Sequence, residues 1–287
     1  MSSSFERHRN LLFTVAYEML GSAADAEDVV QETWLRWADV TDEVRDERAY
    51  LVRIATRLAL NRMRTQSRRR ETYVGPWLPE PLLTAPDVAE DVVLAESVSM
   101  AMMLVLDTLT PTERAVFVLR EVFGFGYDEI AASVDKSEVA CRQIASRAAK
   151  HVQARRPRAS DRPDTAVVLE RFIAATTGGD LQGLMDVLAP DVVLLSDGGG
   201  IKQAALRPII GRDKVLRWFA GTIGNTDGEL SMDVVMLNGE PAIQVVIDGE
   251  PDGIAAVRIE DGLVTALYLV RNPEKLTRIA DEVPLAR

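Results

Sequence analysis

Arg53, Arg57, Asn61 and Arg64 follow one another at steps of three and four, a spacing that lines side chains along one face of a helix. A guanidinium is a planar fork that donates two parallel hydrogen bonds to a phosphate. An asparagine in such a line can read a base edge. Residues 48–70 hold eight arginines and no acid, so self-repulsion argues against an idle solvated face. Just upstream the sign reverses, with nine acids against two arginines in residues 25–47. Asp25, Asp28 and Glu32 share one helix face there, an acidic ridge with no basic partner beside it. A solvated face is the plain alternative. Two adjacent surfaces of opposite sign nevertheless suit two different partners. Aromatic groups beside a basic face could also stack on bases. Trp34, Trp37 and Tyr50 are the aromatic choices, and each serves equally well as core.

A second recognition set lies further on. Tyr127–Ser133 reads as a short helix, a tight turn passes Asp135, and Ser137 caps a long helix, the pattern of a helix-turn-helix. Its last helix would carry Glu138, Arg142 and Gln143 near its start, with Arg147 and Lys150 further along toward phosphate and Lys136 in the turn before it. Ala140, Ile144 and Ala148 are its expected core positions. Asp135 stands where a glycine is usual, and Asp tolerates the left-handed conformation at modest cost.

Composition frames these sets. The chain has 287 residues, enough for two or three domains. Its net charge is −11, with 20 basic and 24 acidic residues in 1–156 and 13 and 20 in 157–287. Attraction to DNA must therefore come from local patches. Cys141 stands alone, so no internal disulfide forms and a cytoplasmic protein is expected. No secretory leader, membrane span, metal site or cofactor is expected.

The elements follow from periodicity. Helices are expected at about Phe5–Leu20, with Leu12, Val15, Ala16 and Met19 inward, at the acidic stretch capped by Ser22, and at Arg48–Ser67. On the last of these, Leu51, Ile54, Ala55, Leu58 and Ala59 form the core stripe, and Arg68 extends the basic line. Residues 71–89 contain four prolines and read as an extended linker in which an uncovered Trp77 and Leu78 would be costly. Residues 90–156 read as four helices, the first at Glu90–Leu109 and the second started by Thr110-Pro111-Thr112-Glu113. A linker at 157–163 leads to an α+β domain, 164–287. It opens with helix Asp164–Thr176, carries a helix at Gly211–Ala220, and has strands at Asp191–Leu195, Leu230–Leu237, Ala242–Ile247, Ile254–Ile259 and Leu263–Val270. Asn238-Gly239, Asp248-Gly249 and Asp261-Gly262 mark hairpin turns.

The strings DAEDVVQETWLRW and AYLVRIATRLALNRMR resemble region 2 of a bacterial RNA polymerase sigma factor of the extracytoplasmic-function type, over residues 5–70. The helix-turn-helix resembles sigma region 4. WLPEPL in the linker, Asp197-Gly198-Gly199-Gly200 and Asn272-Pro273-Glu274-Lys275-Leu276 are similar to motifs of the group bearing a fused SnoaL-like domain, a cone barrel that often encloses a pocket. Ile201 stands where that group's loop has lysine, with Lys202 next, and Glu274 replaces an Asp. The resemblance implies an all-α region 2 (1–70) and region 4 (90–156) followed by an α+β cone. It implies core polymerase, through its β and β′ subunits, bound by Asp25, Asp28 and Glu32. Arg53, Arg57, Asn61 and Arg64 would contact the −10 element, and the second set the −35 element. Trp77, Leu78, Pro79, Glu80, Asp197, Lys202, Asn272 and Pro273 would make the regulatory contact.

No catalysis is expected of the chain. His8 and His151 lie outside the third domain, and its last strand offers no acid to act as a tuned base. Asp197 could be a buried acid, although a flexible glycine loop with a polar turn residue is the simpler reading. Two other functions stay open. One is a DNA-binding regulator responding to a small-molecule ligand in the barrel; the other is an isomerase or hydrolase fused to a DNA-binding module.

Overall fold

The computed structural model describes residues 2–156, 162–223, 228–279 and 281–287. The chain divides into two units that each take two or more pieces of sequence. Met1–Thr72, Thr84–Arg156 and Val283–Arg287 form one, and Tyr73–Leu83 with Pro157–Glu282 the other. The proline-rich stretch is thus shared out, with its first eleven residues after Thr72 built into the α+β unit.

In the helical unit, α1 (Ser2–Leu20) is buried on almost every side from Leu11 to Leu20. It carries Leu12, Val15, Ala16 and Met19 as expected, with Phe13 and Tyr17 as well. Gly21 follows at φ 67, a conformation open to glycine, and ends it. Ser22 then caps α2 (Ala23–Ala38), its Oγ accepting the amide of Asp25. α3 (Glu47–Glu71) buries Leu51, Val52, Ala55, Thr56, Leu58, Ala59 and Leu60, while Ile54 is half-buried. Its stripe is broader than expected because other helices cover two of its flanks. The side chain of Arg68 lies outside the described residues.

Region 90–109 is not one helix. α4 (Val92–Val98) is capped by Asp91, and α5 (Met100–Leu106) restarts after Ser99, whose backbone is extended at ψ 146 and whose Oγ accepts the Met102 amide. Serine competes with the helix for its own backbone groups, and the expected single helix breaks there. α6 (Pro111–Phe117) begins with Thr110 and Glu113 in a reciprocal capping box. It continues into a wider-wound turn, Val118–Val122. α7 (Tyr127–Val134) ends at Asp135, at φ 56 and ψ 54, and Ser137 caps α8 (Glu138–Gln153). The helix-turn-helix is present. The core face of α8 is Cys141, Ala145, Ala148 and Val152, so the expected Ala140 and Ile144 are only half-buried.

Of the linker expected at 157–163, residues 157–161 lie outside the described residues, and Arg162 already opens α9 (Arg162–Thr177). The α+β unit continues with α10 (Leu181–Val187), β1 (Leu188–Asp197), β2 (Ile209–Ile210), α11 (Arg212–Ile223), β3 (Leu230–Leu237), β4 (Glu240–Ile247), β5 (Glu250–Glu260) and β6 (Leu263–Val270). The sheet order is β2-β1-β6-β5-β4-β3. β3 to β6 form an antiparallel meander, and β1 lies parallel to β6. The three turns expected from Asn-Gly and Asp-Gly all have positive φ at both central residues, the twist that suits a two-residue hairpin. Val168, Phe172 and Ala175 of α9 pack with Val215 and Phe219 of α11 and with Leu194, Ile243 and Leu267 of the sheet. Two helices thus cover one face of a six-stranded mixed sheet.

Candidate functional site: two charged helix faces and a buried segment

The acidic ridge of α2 does have basic partners. Arg62 of α3 donates to Asp25 at 3.0 Å and to Asp28 at 3.2 Å, Gln66 reaches Asp25 at 2.5 Å, and Arg36 meets Glu32 at 2.7 Å. The pairing runs between helices, which spacing along α2 alone could not reveal. Asp28 remains exposed, and Asp25 and Glu32 are half-buried. Trp37 is core against Tyr50, their rings 5.8 Å apart, whereas Trp34 is half-buried beside Phe5 at 5.0 Å.

The basic line of α3 is only partly open. Asn61 and Arg64 are exposed and joined by a 3.2 Å hydrogen bond. Arg57 is exposed but donates to the carbonyl of Ala132 in α7 at 2.9 Å. Arg53 stacks over Tyr50 at 4.9 Å and faces a cleft with Asp128 and Glu129 of α7. Arg48 lies 4.3 Å over the ring of Phe125. The first part of the line is therefore engaged by the helix-turn-helix segment. By contrast, Lys136 in the turn and Glu138, Arg142, Gln143, Arg147 and Lys150 along α8 are all exposed. Arg142 pairs with Glu138 at 3.1 Å and stacks over Tyr127 at 5.1 Å.

Where α1 meets α4 to α6, charges are buried. Arg114, 1% exposed, donates to the carbonyl of Glu18 at 2.7 Å and to Asp107 at 2.6 Å. Arg70 takes the other oxygen of Asp107. Burial alone would raise the Asp107 carboxyl, but Arg114 and Arg70 together bring it below its ordinary value. Glu18 is fully buried. Ser97 donates to its Oε1 at 2.8 Å, and its Oε2 has no partner. Burial pushes this carboxyl up to about 8, against the opposing effects of Ser97 and Arg114.

In the α+β unit Asp197, 1% exposed at the end of β1, gathers the linker. Its Oδ1 accepts Tyr73 Oη at 2.6 Å and the Gly199 amide at 3.1 Å. Its Oδ2 accepts the Leu78 amide at 2.9 Å and Lys275 Nζ at 2.7 Å. Lys275 also donates to the Leu78 carbonyl at 2.5 Å, and its ammonium lies 4.9 Å from the ring centre of Tyr73 and 4.2 Å from that of Trp77. Asn272 donates to Tyr73 Oη at 2.9 Å. At the other end, the Leu82 amide reaches Asn238 Oδ1 and the Asn238 amide reaches the Leu82 carbonyl. Leu78, Pro79, Glu80, Pro81 and Leu82 are buried, and the exposure that the sequence alone would give Leu78 is gone. Full burial of Leu78 and Leu82 contributes roughly 2 kcal/mol each by area.

The glycines have a geometric task here. A Cβ on Gly199, which sits at φ 62, would fall 2.4 Å from the Asn272 amide nitrogen. One on Gly198 would meet the Lys202 carbonyl oxygen at 2.1 Å. The loop is shaped for close approach rather than for looseness. Lys202 turns the other way, onto Asp252 at 2.6 Å. Pro273 opens a single turn after Asn272, whose side chain accepts the Glu274 amide. Lys275 and Asp252 were not singled out as site residues from the sequence, because their partners lie far away along the chain. Among the described residues no cluster of His, Cys, Asp and Glu could hold a metal ion, and no helix is long and apolar enough to cross a membrane.

An arginine-lined helix and a helix-turn-helix in one unit define a DNA-binding transcription protein. Comparison with known proteins narrows this. The chain matches Sigma-70 region 2 over residues 4–69 and Sigma-70, region 4 over residues 99–152. It is 39% identical to ECF RNA polymerase sigma factor SigJ of Mycobacterium tuberculosis, over 96% of this chain and 93% of that protein. It is 32% identical to the probable ECF RNA polymerase sigma factor SigI of the same species, over 99% of this chain and 97% of that one. The crystal structure of M. tuberculosis SigJ is similar with a TM-score of 0.76 at 37% identity, covering 97% of this chain and 99% of that chain. The chain belongs to the extracytoplasmic-function sigma factors, which direct transcription initiation by RNA polymerase.

Proposed function

We propose that this sigma factor meets core polymerase through the α2 surface bearing Asp25, Asp28 and Glu32, and promoter DNA through two helices of its helical unit. Asn61 and Arg64, with Arg53 and Arg57 once α7 withdraws, contact the −10 element. Arg142, Gln143, Arg147 and Lys150, with Lys136 and Glu138 beside them, contact the −35 element. The α+β domain regulates this activity by holding the segment between regions 2 and 4. The observation that carries the reading is the seating of Tyr73–Leu83 on Asp197, Asn272, Lys275 and Asn238. Trp77, Leu78, Pro79 and Glu80 are the seated residues, while Lys202 and Pro273 shape the two loops that receive them.

The domain serves as a regulator and not as a catalyst. Asp197 and Asp252, both buried, are held by Lys275 and by Lys202 with Arg271. Neither is an unpaired base in an apolar site, which is what proton abstraction needs. The place of action is the cytoplasm, where the polymerase works.

The test is transcription in vitro with purified core polymerase, comparing the full chain, its Lys275→Met variant and residues 1–163. Initiation at a shared promoter with altered yield or altered spacing preference in the last two supports the reading. Identical output from all three removes the regulatory role. Binding to duplex DNA without initiation on any promoter in a genomic pool would favour a conventional DNA-binding regulator.

A further inference from the structure

An apolar cavity lies in the α+β unit between α9, α11 and the sheet. Phe172, Trp218, Phe219, Met232, Ile243 and Leu267 supply its walls. Its enclosed volume is about 70 Å³, and the wider space at its mouth is open to solvent. Phe219 stands edge-on to both Phe172 and Trp218, at 5.7 and 5.2 Å between ring centres, so one wall is built of aromatic faces and edges. Leu230, Val245 and Ile247 line the cavity and are only half-buried, which is costly for aliphatic groups unless something covers them.

Asp252, Arg271 and Thr176 of the lining already have partners. Asp252 accepts Lys202 on one oxygen, at 2.6 Å, and Arg271 Nε on the other, at 2.8 Å. Arg271 Nη1 donates to the carbonyl of Gln203 at 2.8 Å. The hydroxyl of Thr176 donates to the carbonyl of Phe172 at 2.7 Å. A charged ligand entering here would lose its hydration and meet no free counter-charge, which is expensive.

The charged end is one bond from the linker site. The amides of Arg271 and Asn272 both donate to the carbonyl of Asp197, at 2.7 and 2.9 Å, and Asn272 holds Tyr73. Lys202, on the opposite side of Asp252, closes the loop that begins at Asp197.

We propose that this cavity binds a small, uncharged, largely aromatic molecule, and that occupancy is transmitted through the Asp252–Arg271 pair to the residues that hold Tyr73–Leu83. The second part rests on the regulatory reading above; the first does not.

The test uses the full-length protein and two probes, neutral N-phenyl-1-naphthylamine and anionic 8-anilinonaphthalene-1-sulfonate. Expected is saturable binding of one neutral probe per chain, with the anionic probe at least tenfold weaker. Val245→Trp and Thr222→Phe, both at half-buried lining positions, should each weaken the neutral probe at least tenfold with thermal unfolding unchanged. Equal or tighter binding of the anion overturns the ligand class. Neutral-probe binding untouched by either filling variant places the probe elsewhere and overturns the site. Transmission is read separately, as a change in amide hydrogen exchange across residues 73–83 on probe addition. Binding without such a change overturns the coupling and leaves the cavity standing.

Discussion

Lys275 Nζ lies 2.7 Å from a carboxylate oxygen of Asp197 and 2.5 Å from the carbonyl of Leu78, so one ammonium ties a buried acid to a segment 119 residues before that acid. Lys275→Met keeps the length of the side chain and removes the charge. It leaves Asp197 buried with one partner fewer, and breaking a buried pair in this way costs about 3–5 kcal/mol. The α+β unit should unfold at lower denaturant, and the Leu78 amide should lose its hydrogen-exchange protection. Unaltered protection at Leu78 would show that the lysine does not hold the segment.

Gly199 and Gly124 separate strain from collision. Both have positive φ, 62 and 69, but a Cβ at Gly124 meets nothing within 4 Å, whereas at Gly199 it meets Asn272. Gly124→Ala should lose about 1 kcal/mol from backbone strain alone. Gly199→Ala should lose more, roughly 2–3 kcal/mol, and should also loosen the hold of Asn272 on Tyr73. Thermal denaturation ranks the two, and equal losses would mean that the close approach carries no weight.

Glu18 makes the helical unit sensitive to pH. Burial pushes its carboxyl up to about 8 from an ordinary value of 4.5, against the opposing pull of Ser97 and Arg114. Between those values the folded form holds a proton that the unfolded chain releases. Stability is therefore fullest below about 4.5, falls as pH rises toward 8, and is flat beyond. The total is on the order of a few kcal/mol, since one pKa unit is about 1.4 kcal/mol. Glu18→Gln, neutral throughout, should flatten this part of the profile and stabilise the unit at pH 8. A denaturation series from pH 6 to 9 on both proteins decides it.

The two helices proposed to contact promoter DNA should respond differently to truncation. In the complex with core polymerase, Arg64→Ala and Arg147→Ala should weaken binding at every promoter and lower the slope of log affinity against log salt by about 1 each. Asn61→Ala and Gln143→Ala should instead relax preference at single base positions, by about 1–3 kcal/mol. Arg57→Ala also removes the bond to Ala132 and should free α7 as well as lose a contact. Salt titrations on matched and mismatched promoters distinguish the two classes.

What was legible in the sequence was what depends on neighbours along the chain. Ser22, Thr110 and Ser137 cap helices where their spacing says they should, and the three Asn-Gly and Asp-Gly turns join the strands they were expected to join. What escaped was short or long-range. β2 has two residues and α10 has seven, too few for a period to register. The break at Ser99 arises from a backbone choice that hydrophobic spacing does not record. The pairing of Arg62 with Asp25 spans 37 positions, so the ridge looked unpartnered. Lys275 stood inside a quoted motif, yet nothing along the chain revealed that it would lie over Tyr73 and Trp77.

Seating Tyr73–Leu83 also withdraws length from a tether. Eleven residues can span roughly 36–40 Å when extended. While they are held from Tyr73 to Leu82, that contour is unavailable to separate α3 from α8. Release restores it at once and adds the entropy of a flexible chain. Under the regulatory role proposed above, the seat on the sheet would act as a length selector for the gap between promoter elements that this protein can bridge.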